Sequence, residues 1–239
     1  LEIDNLESIH SNRNIACMVL IMQALNNGGY PAELMMVEAP NSVRELKMLE
    51  NGNVVIMHQD IWGASSNDSV YVSHEIIPRG KFTKGFYVAE PDRKMYGVKV
   101  LNDLKKFTSV SNPGWEVDWN TLKKIGLKKL YPTAKKEYMF NQVLLRDVDF
   151  TIQEFTTAKD MSYSFENGKL VPVPGIKIAL DGSRHFMVSK KHKDGKAVFE
   201  ALQKGLKILS NKGIVDKFLA EAGFYRSEVS EWQTIRVDL

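Results

Sequence analysis

Apolar positions along the chain fall into blocks that alternate between helical and strand-like spacing. "LEID" has the length of a short first strand, and "SNRN" then supplies polar cap residues ahead of "IACMVLIMQAL". "NNGGY" closes that helix with glycines at its C-terminal side. "PAELMMVEA" reads as a second strand, "NSVRELKMLENG" as a helix capped by Asn41 or Ser42, and "VVIMHQDIW" as a buried strand. The succession of strand and helix predicts an α/β protein with a largely parallel sheet.

After "SSNDSVYVS" the pattern loosens, and "IIPRGKFTKGFYVAE" offers an extended crossing segment with two glycines, Gly80 and Gly85. The alternation then restarts. "DWNTLKKIGL" and "KKEYMFNQVLLRD" are expected to be helical and "VDFTIQEF" to be a strand. "GKAVFEALQKGLKILSNKGIVDKFLAEAGF" reads as a closing pair of helices, with Val198, Leu202, Leu206 and Leu209 forming a core stripe on the first.

Two pieces of this pattern match each other. "KMLENGNVVIMHQD" ends in Gln59 and Asp60, "QVLLRDVDFTIQE" ends in Gln153 and Glu154, and the two acids stand 94 positions apart. Each piece is a helix end, a polar turn and an apolar strand. Taken as a repeat, they predict two similar α/β lobes, the second inserted into the first, with crossings near residues 84 and 189. The expected division is 1–84 with 190–239 as one lobe and 85–189 as the other. Ligands of open α/β sheets lie beyond the carboxyl ends of strands, so Asp60 and Glu154 are expected near the walls of a cleft.

Composition narrows the function classes. With 239 residues, 44% of them hydrophobic and 26% charged, the chain can bury a sizeable core. Its 32 basic and 29 acidic residues leave a net charge of +3, which gives no single-sign field pointing to nucleic acid, and no nucleic-acid partner is expected. The one cysteine, Cys17, sits in the most apolar run, and no CxxC or Cys/His spacing suggests a metal or redox site. That run, residues 15 to 25, is shorter than the roughly 20 residues a membrane-spanning helix needs. The chain begins at Leu1 without a basic start, which permits a leader removed before residue 1 as well as a trimmed chain.

The spacing of "LENGNVVIMHQDIWGASSNDSVYVS", "GWEVDWNTLKKIGL" and "YMFNQVLLRDVDFTIQEF", followed by "HFMVSKKH" and the closing helices, resembles the type II periplasmic solute-binding proteins of bacterial ABC transporters. Within these it is similar to the family-3 group, which mostly takes amino acids and other small polar solutes. The resemblance covers nearly the whole chain through loose motifs, with Leu49, Gly52 and "VYVS" at matching places. It implies a two-lobed fold of two open α/β sheets joined by two crossing segments, and an extracytoplasmic, monomeric binding protein that serves a membrane permease. It implies no cofactor and no metal. The family's late strand ends in an acid that holds the ligand's amino group, and matching it against "VDFTIQE" puts Glu154 there. The plainer reading of Glu154 is a solvated strand-end acid or an interlobe salt bridge.

One departure bears on the ligand. Where the family places the arginine that clamps an α-carboxylate, this chain has Asn67, and an amide cannot supply the charged fork of a guanidinium. Arg79, Lys81, Arg13 or Arg184 would have to substitute, or the solute is not a standard α-amino acid. Further candidates follow from position. Ser111 and Asn112 precede an expected helix start, where free backbone N–H groups seat polar or anionic groups. Trp115 and Trp62 follow the ends of expected strands and are candidate pocket walls, against the alternative that large aromatics belong to the core. Asn12 and Asn14 are read as helix caps.

Two other classes stay open from sequence alone. Enzymes such as dehydratases share this fold and use a cleft carboxylate as general acid or base, a part open to Asp60 or Glu154. Sensor accessories of membrane receptors use the same two-lobed design. Against catalysis, the five histidines are scattered without metal spacing, and no serine stands in a GxSxG elbow.

Overall fold

The computed structural model describes residues 13–39, 42–57, 61–62, 68–156 and 158–237. Its chain divides into two units, Leu1–Pro78 with Ser183–Tyr225, and Arg79–Gly182 with Arg226–Leu239.

Unit 1 is built on helices. Helix α1 (Arg13–Asn27) buries Ala16, Cys17, Leu20, Ile21, Ala24 and Leu25. It crosses α5 (Gly195–Asn211), whose Val198, Leu202, Leu206 and Leu209 are buried as the periodicity predicts. Glycines set how close the two helices come. A Cβ on Gly28 would lie 2.0 Å from the Ala201 carbonyl oxygen, and one on Gly205 would lie 1.7 Å from that of Ala24. The remaining helices are α2 (Ser42–Glu50) and α6 (Ile214–Glu221). The strands are short and antiparallel: β1 (Ile61–Trp62) pairs with β9 (Arg184–His185), and β2 (Val70–Val72) with β10 (Met187–Ser189).

Unit 2 holds the larger sheet, in the order β11–β8–β3–β6 with β7 also on β8. These strands are β3 (Thr83–Ala89), β6 (Thr151–Gln153), β7 (Tyr163–Phe165), β8 (Gly168–Ala179) and β11 (Gln233–Ile235). Strands β4 (Thr108–Ser111) and β5 (Lys129–Pro132) run parallel beside it, joined through a bridge from Ser109 to Phe150. Helices α3 (Glu116–Ile125) and α4 (Lys136–Leu144) cover the sheet, and Met139, Phe140 and Val143 of α4 pack on Tyr87, Val110 and Leu170.

The paired sequence pieces have one local geometry. After α2, the amides of Asn51, Gly52 and Asn53 return to the carbonyls of Lys47, Leu49 and Met48; after α4, those of Leu145, Arg146 and Asp147 return to Asn141, Val143 and Gln142. In each turn one residue is left-handed, Gly52 at φ 78° and Arg146 at φ 62°. Ile56 and Phe150 then stand at the same spacing, each in a single bridge.

Two expectations need correction. "PAELMMVEA" forms no strand among the described residues, and Met35 is 89% exposed. An apolar run becomes a strand only with an edge to pair with, and the expected first strand in "LEID" lies outside the described residues. The sheets are not largely parallel: β3 is antiparallel to both β6 and β8. The last segment groups with unit 2, so the chain divides at Pro78/Arg79, Gly182/Ser183 and Tyr225/Arg226. Strand β11 hydrogen-bonds in parallel to β8, Trp232 meets Phe155 edge-on at 5.7 Å, and the buried Lys177 donates to the Val229 and Ser230 carbonyls.

Candidate functional site

In unit 2 the strand directions gather four of the sequence candidates. β4 runs toward Ser111, Asn112 and Trp115, and the parallel bridge from Ser109 to Phe150 sends β6 the same way, toward Glu154. All four therefore stand at one end of the sheet. Ser111 is buried, and Trp115 and Glu154 are half-buried.

Asn112 has a local task. Its Oδ1 accepts the Gly114 amide at 2.8 Å and its Nδ2 donates to the Ala134 carbonyl at 3.1 Å, so the side chain ties the loop ahead of α3 to the segment ahead of α4. Trp115 is the residue before that helix and makes no side-chain cap. Its ring lies 5.8 Å from the Lys84 ammonium.

Lys84 was not singled out by the sequence. It is buried in β3 and donates to Asp118 Oδ1 of α3 at 2.5 Å, with side chains 9% and 4% exposed. Gly85 pairs with Gln153 at the end of β6, and Lys84 and Glu154 are the next residues of the two segments. Lys136, at the start of α4, lies over the rings of Phe140 and Tyr163 at 5.3 and 5.5 Å. Loss of hydration lowers its pKa, the Glu154 carboxylate opposes that shift, and Lys84 adds to it. Beneath Glu154, Tyr163 donates its hydroxyl to the Glu154 carbonyl at 2.8 Å, and Tyr87 donates to the Met161 carbonyl at 2.7 Å. Burial pushes the Tyr87 phenol far above its ordinary range, followed by the neighbouring Tyr163. This end of unit 2 thus places Lys136, Glu154 and the Trp115 indole beside the buried Lys84–Asp118 pair, and the first two are groups suited to charged hydrogen bonds with a small polar molecule.

In unit 1, Trp62 pairs with Arg184 across β1 and β9. The Arg184 guanidinium lies 4.7 Å over the Trp62 ring and 5.6 Å from the ring of Phe224, and Arg13 covers Phe224 from 4.6 Å. Asp60 and Asn67 lie outside the described residues. Of the four cations expected to replace the missing arginine, Arg79 is paired with Asp181 and Arg13 donates to the Gly223 carbonyl. Lys81 is exposed, and Arg184 stands against the predicted aromatic wall.

Among the described residues no cluster of three His, Cys, Asp or Glu side chains has metal-site geometry, and no helix is long and apolar enough to cross a membrane.

Neither protein-family models nor curated proteins match the sequence. Solved structures do. The probable amino-acid ABC transporter extracellular-binding protein ytmK from Bacillus subtilis aligns at TM-score 0.60 and 14% identity, over 87% of this chain and 88% of that one. The fold is that of the type II periplasmic binding proteins. Substrate-binding domain 2 of Lactococcus lactis GlnP, in an open conformation, aligns at TM-score 0.57 and 13% identity over 88% and 86% of the two chains. The GluR0 ligand-binding core from Nostoc punctiforme, in complex with L-glutamate, aligns at TM-score 0.53 and 14% identity over 88% and 91%. All three neighbours with the type II periplasmic binding fold are named for ligand or substrate binding, none for catalysis.

Proposed function

We propose that this protein is an extracytoplasmic solute-binding protein that captures a small polar solute, an amino acid or a related amine or carboxylate, and delivers it to a membrane permease. The observation that carries this reading is the fold match over nearly the full length of both chains to a protein named as an amino-acid ABC transporter extracellular-binding protein. The chemistry at hand suits such a ligand. On unit 2, Glu154 is the candidate acceptor for an ammonium group, Trp115 a candidate wall and Ser111 a candidate polar contact. On unit 1, Trp62 is the candidate wall and Arg184 the candidate cation for a carboxylate, with Asp60 and Asn67 as further sequence candidates. Such a protein acts as a monomer toward its solute and needs neither cofactor nor metal.

A thermal-shift screen over amino acids, short peptides, polyamines and small carboxylic acids tests this. Binding to the native state stabilises it by RT ln(1 + [L]/Kd), about 2.7 kcal/mol at a hundredfold excess over Kd. At roughly 2–4 °C per kcal/mol for a chain of this size, the true ligand raises the melting temperature by about 5–11 °C. A complete panel that leaves the melting temperature unmoved contradicts the reading.

A further inference from the structure

The basic residues of unit 2 are unevenly placed. From Lys94 to Lys136 the chain carries ten lysines against three acids, Asp103, Glu116 and Asp118. Two of those acids are engaged locally: Asp118 holds Lys84, and Asp103 accepts the amides of Lys99 and Val100. The fold collects five of the lysines at one end of the sheet. Lys105 and Lys106 end the 3-10 turn Leu101–Lys106, immediately before β4. The Lys128 amide donates to the Phe107 carbonyl at 3.0 Å, and Lys129 pairs with Thr108 at the start of β4 and β5. Lys123 lies in the last turn of α3, which the left-handed Gly126 ends just before β5.

All five are exposed, and none is held in an ion pair among the described residues. At the start of β4, Asp149 accepts the Thr108 amide and hydroxyl at 2.7 and 2.8 Å, and Asp103 interacts electrostatically with Lys106. The ammonium groups of Lys106 and Lys129 lie 5.3 and 4.4 Å from the ring centroids of Phe107 and Tyr131, and both side chains stay exposed. Strand β4 begins in this patch and ends at Ser111, so the patch and the candidate solute groups occupy opposite ends of one strand.

We propose that this lysine-rich end of unit 2 is a docking surface for an anionic phospholipid bilayer. Lysines held in no ion pair recognise a sheet of negative charge and not a particular ligand, since a hydrated point charge needs no fixed fork. A cluster of four to eight basic residues is the size that suffices for anionic headgroups. Held there, unit 2 has the Ser111 end of β4 turned away from the lipid.

Co-sedimentation with phosphatidylglycerol/phosphatidylcholine vesicles tests this, with pure phosphatidylcholine vesicles alongside. The wild type is expected to partition onto the anionic vesicles only, more strongly as the anionic fraction rises, and to be released between about 0.05 and 0.5 M salt as screening shortens the field. At about fivefold per lysine, the variant Lys105→Glu/Lys106→Glu/Lys128→Glu/Lys129→Glu loses more than a hundredfold in partition. The matched variant Lys193→Glu/Lys204→Glu/Lys207→Glu/Lys212→Glu, changed on exposed lysines of unit 1, loses far less. Equal losses in the two variants, or binding to neutral vesicles, overturn the proposal. So does salt-sensitive capture of single-stranded RNA without vesicle binding. Solute binding is unaffected by the first variant, so this surface fails or stands independently of the proposed function.

Discussion

The Lys84–Asp118 pair makes the most exacting demand on the structure. Both side chains are nearly buried, at 9% and 4% exposure, and the ammonium sits 2.5 Å from Oδ1. Lys84→Met removes one partner and leaves the buried carboxylate of Asp118 desolvated and unpaired. Breaking a buried pair in this way costs about 3–5 kcal/mol, and at roughly 2–4 °C per kcal/mol that is a fall in melting temperature of about 6–20 °C. The double variant Lys84→Met/Asp118→Leu removes both charges and should recover most of the loss. The coupling between the two positions is then at least about 1.5 kcal/mol. Calorimetry and urea unfolding of the wild type, both single variants and the double variant close the cycle. Single variants within 1 kcal/mol of wild type, or losses that simply add in the double variant, would refute a buried, mutually dependent pair.

Three further outcomes follow from particular residues. Arg146 is left-handed without being glycine, so Arg146→Gly should stabilise by about 1 kcal/mol; Gly52→Arg, where a Cβ meets the Lys191 and His192 backbone at 3.0 Å, should cost more than about 2 kcal/mol, both read from denaturant midpoints. Gly205→Ala puts a methyl group into the Ala24 carbonyl and should destabilise by at least about 1–3 kcal/mol; a neutral result would mean the α1–α5 crossing is looser than described. Asp160 is held at about 2, below its ordinary 3.8, first by the Lys169 ammonium and then by the Ser162 hydroxyl. A depressed carboxylate stabilises above its unfolded pKa and loses that contribution as pH falls through the folded value. The melting-temperature gap between wild type and Asp160→Asn should therefore close between about pH 4 and pH 2, and a gap that persists unchanged at pH 2 would contradict the assignment.

Much of the helical framework was legible in the sequence because its apolar periodicity is strong: the stripe from Val198 to Leu209 and the turns after Glu50 and Leu144 follow from local spacing. Strand pairing was less legible. The partner of β3 is β8, about 90 residues away and antiparallel, and nothing local in "KFTKGFYVAE" announces it. The final segment was read with the closing helices, and nothing local in it announces that β11 pairs with an edge of β8 or that Lys177 donates to the Val229 and Ser230 carbonyls. Trp115, Glu154 and Asn112 were proposed as ligand groups from their positions after strands, and the Asn112 side chain also ties Gly114 to Ala134. Lys84 left a usable signal: a lysine inside a run of buried β3 residues needs a partner of opposite charge, and Asp118 at helical spacing from the covered face supplies one.

The central claim is that this protein binds a small polar solute without changing it. Isothermal titration with the solute found by thermal shift, followed by chromatographic recovery of that solute, measures this directly. The account predicts one-to-one saturable binding, weakened at least tenfold by Glu154→Gln with the fold retained, and solute recovered intact. Recovery of a converted product, or an unchanged dissociation constant in both Glu154→Gln and Trp62→Ala, would contradict it.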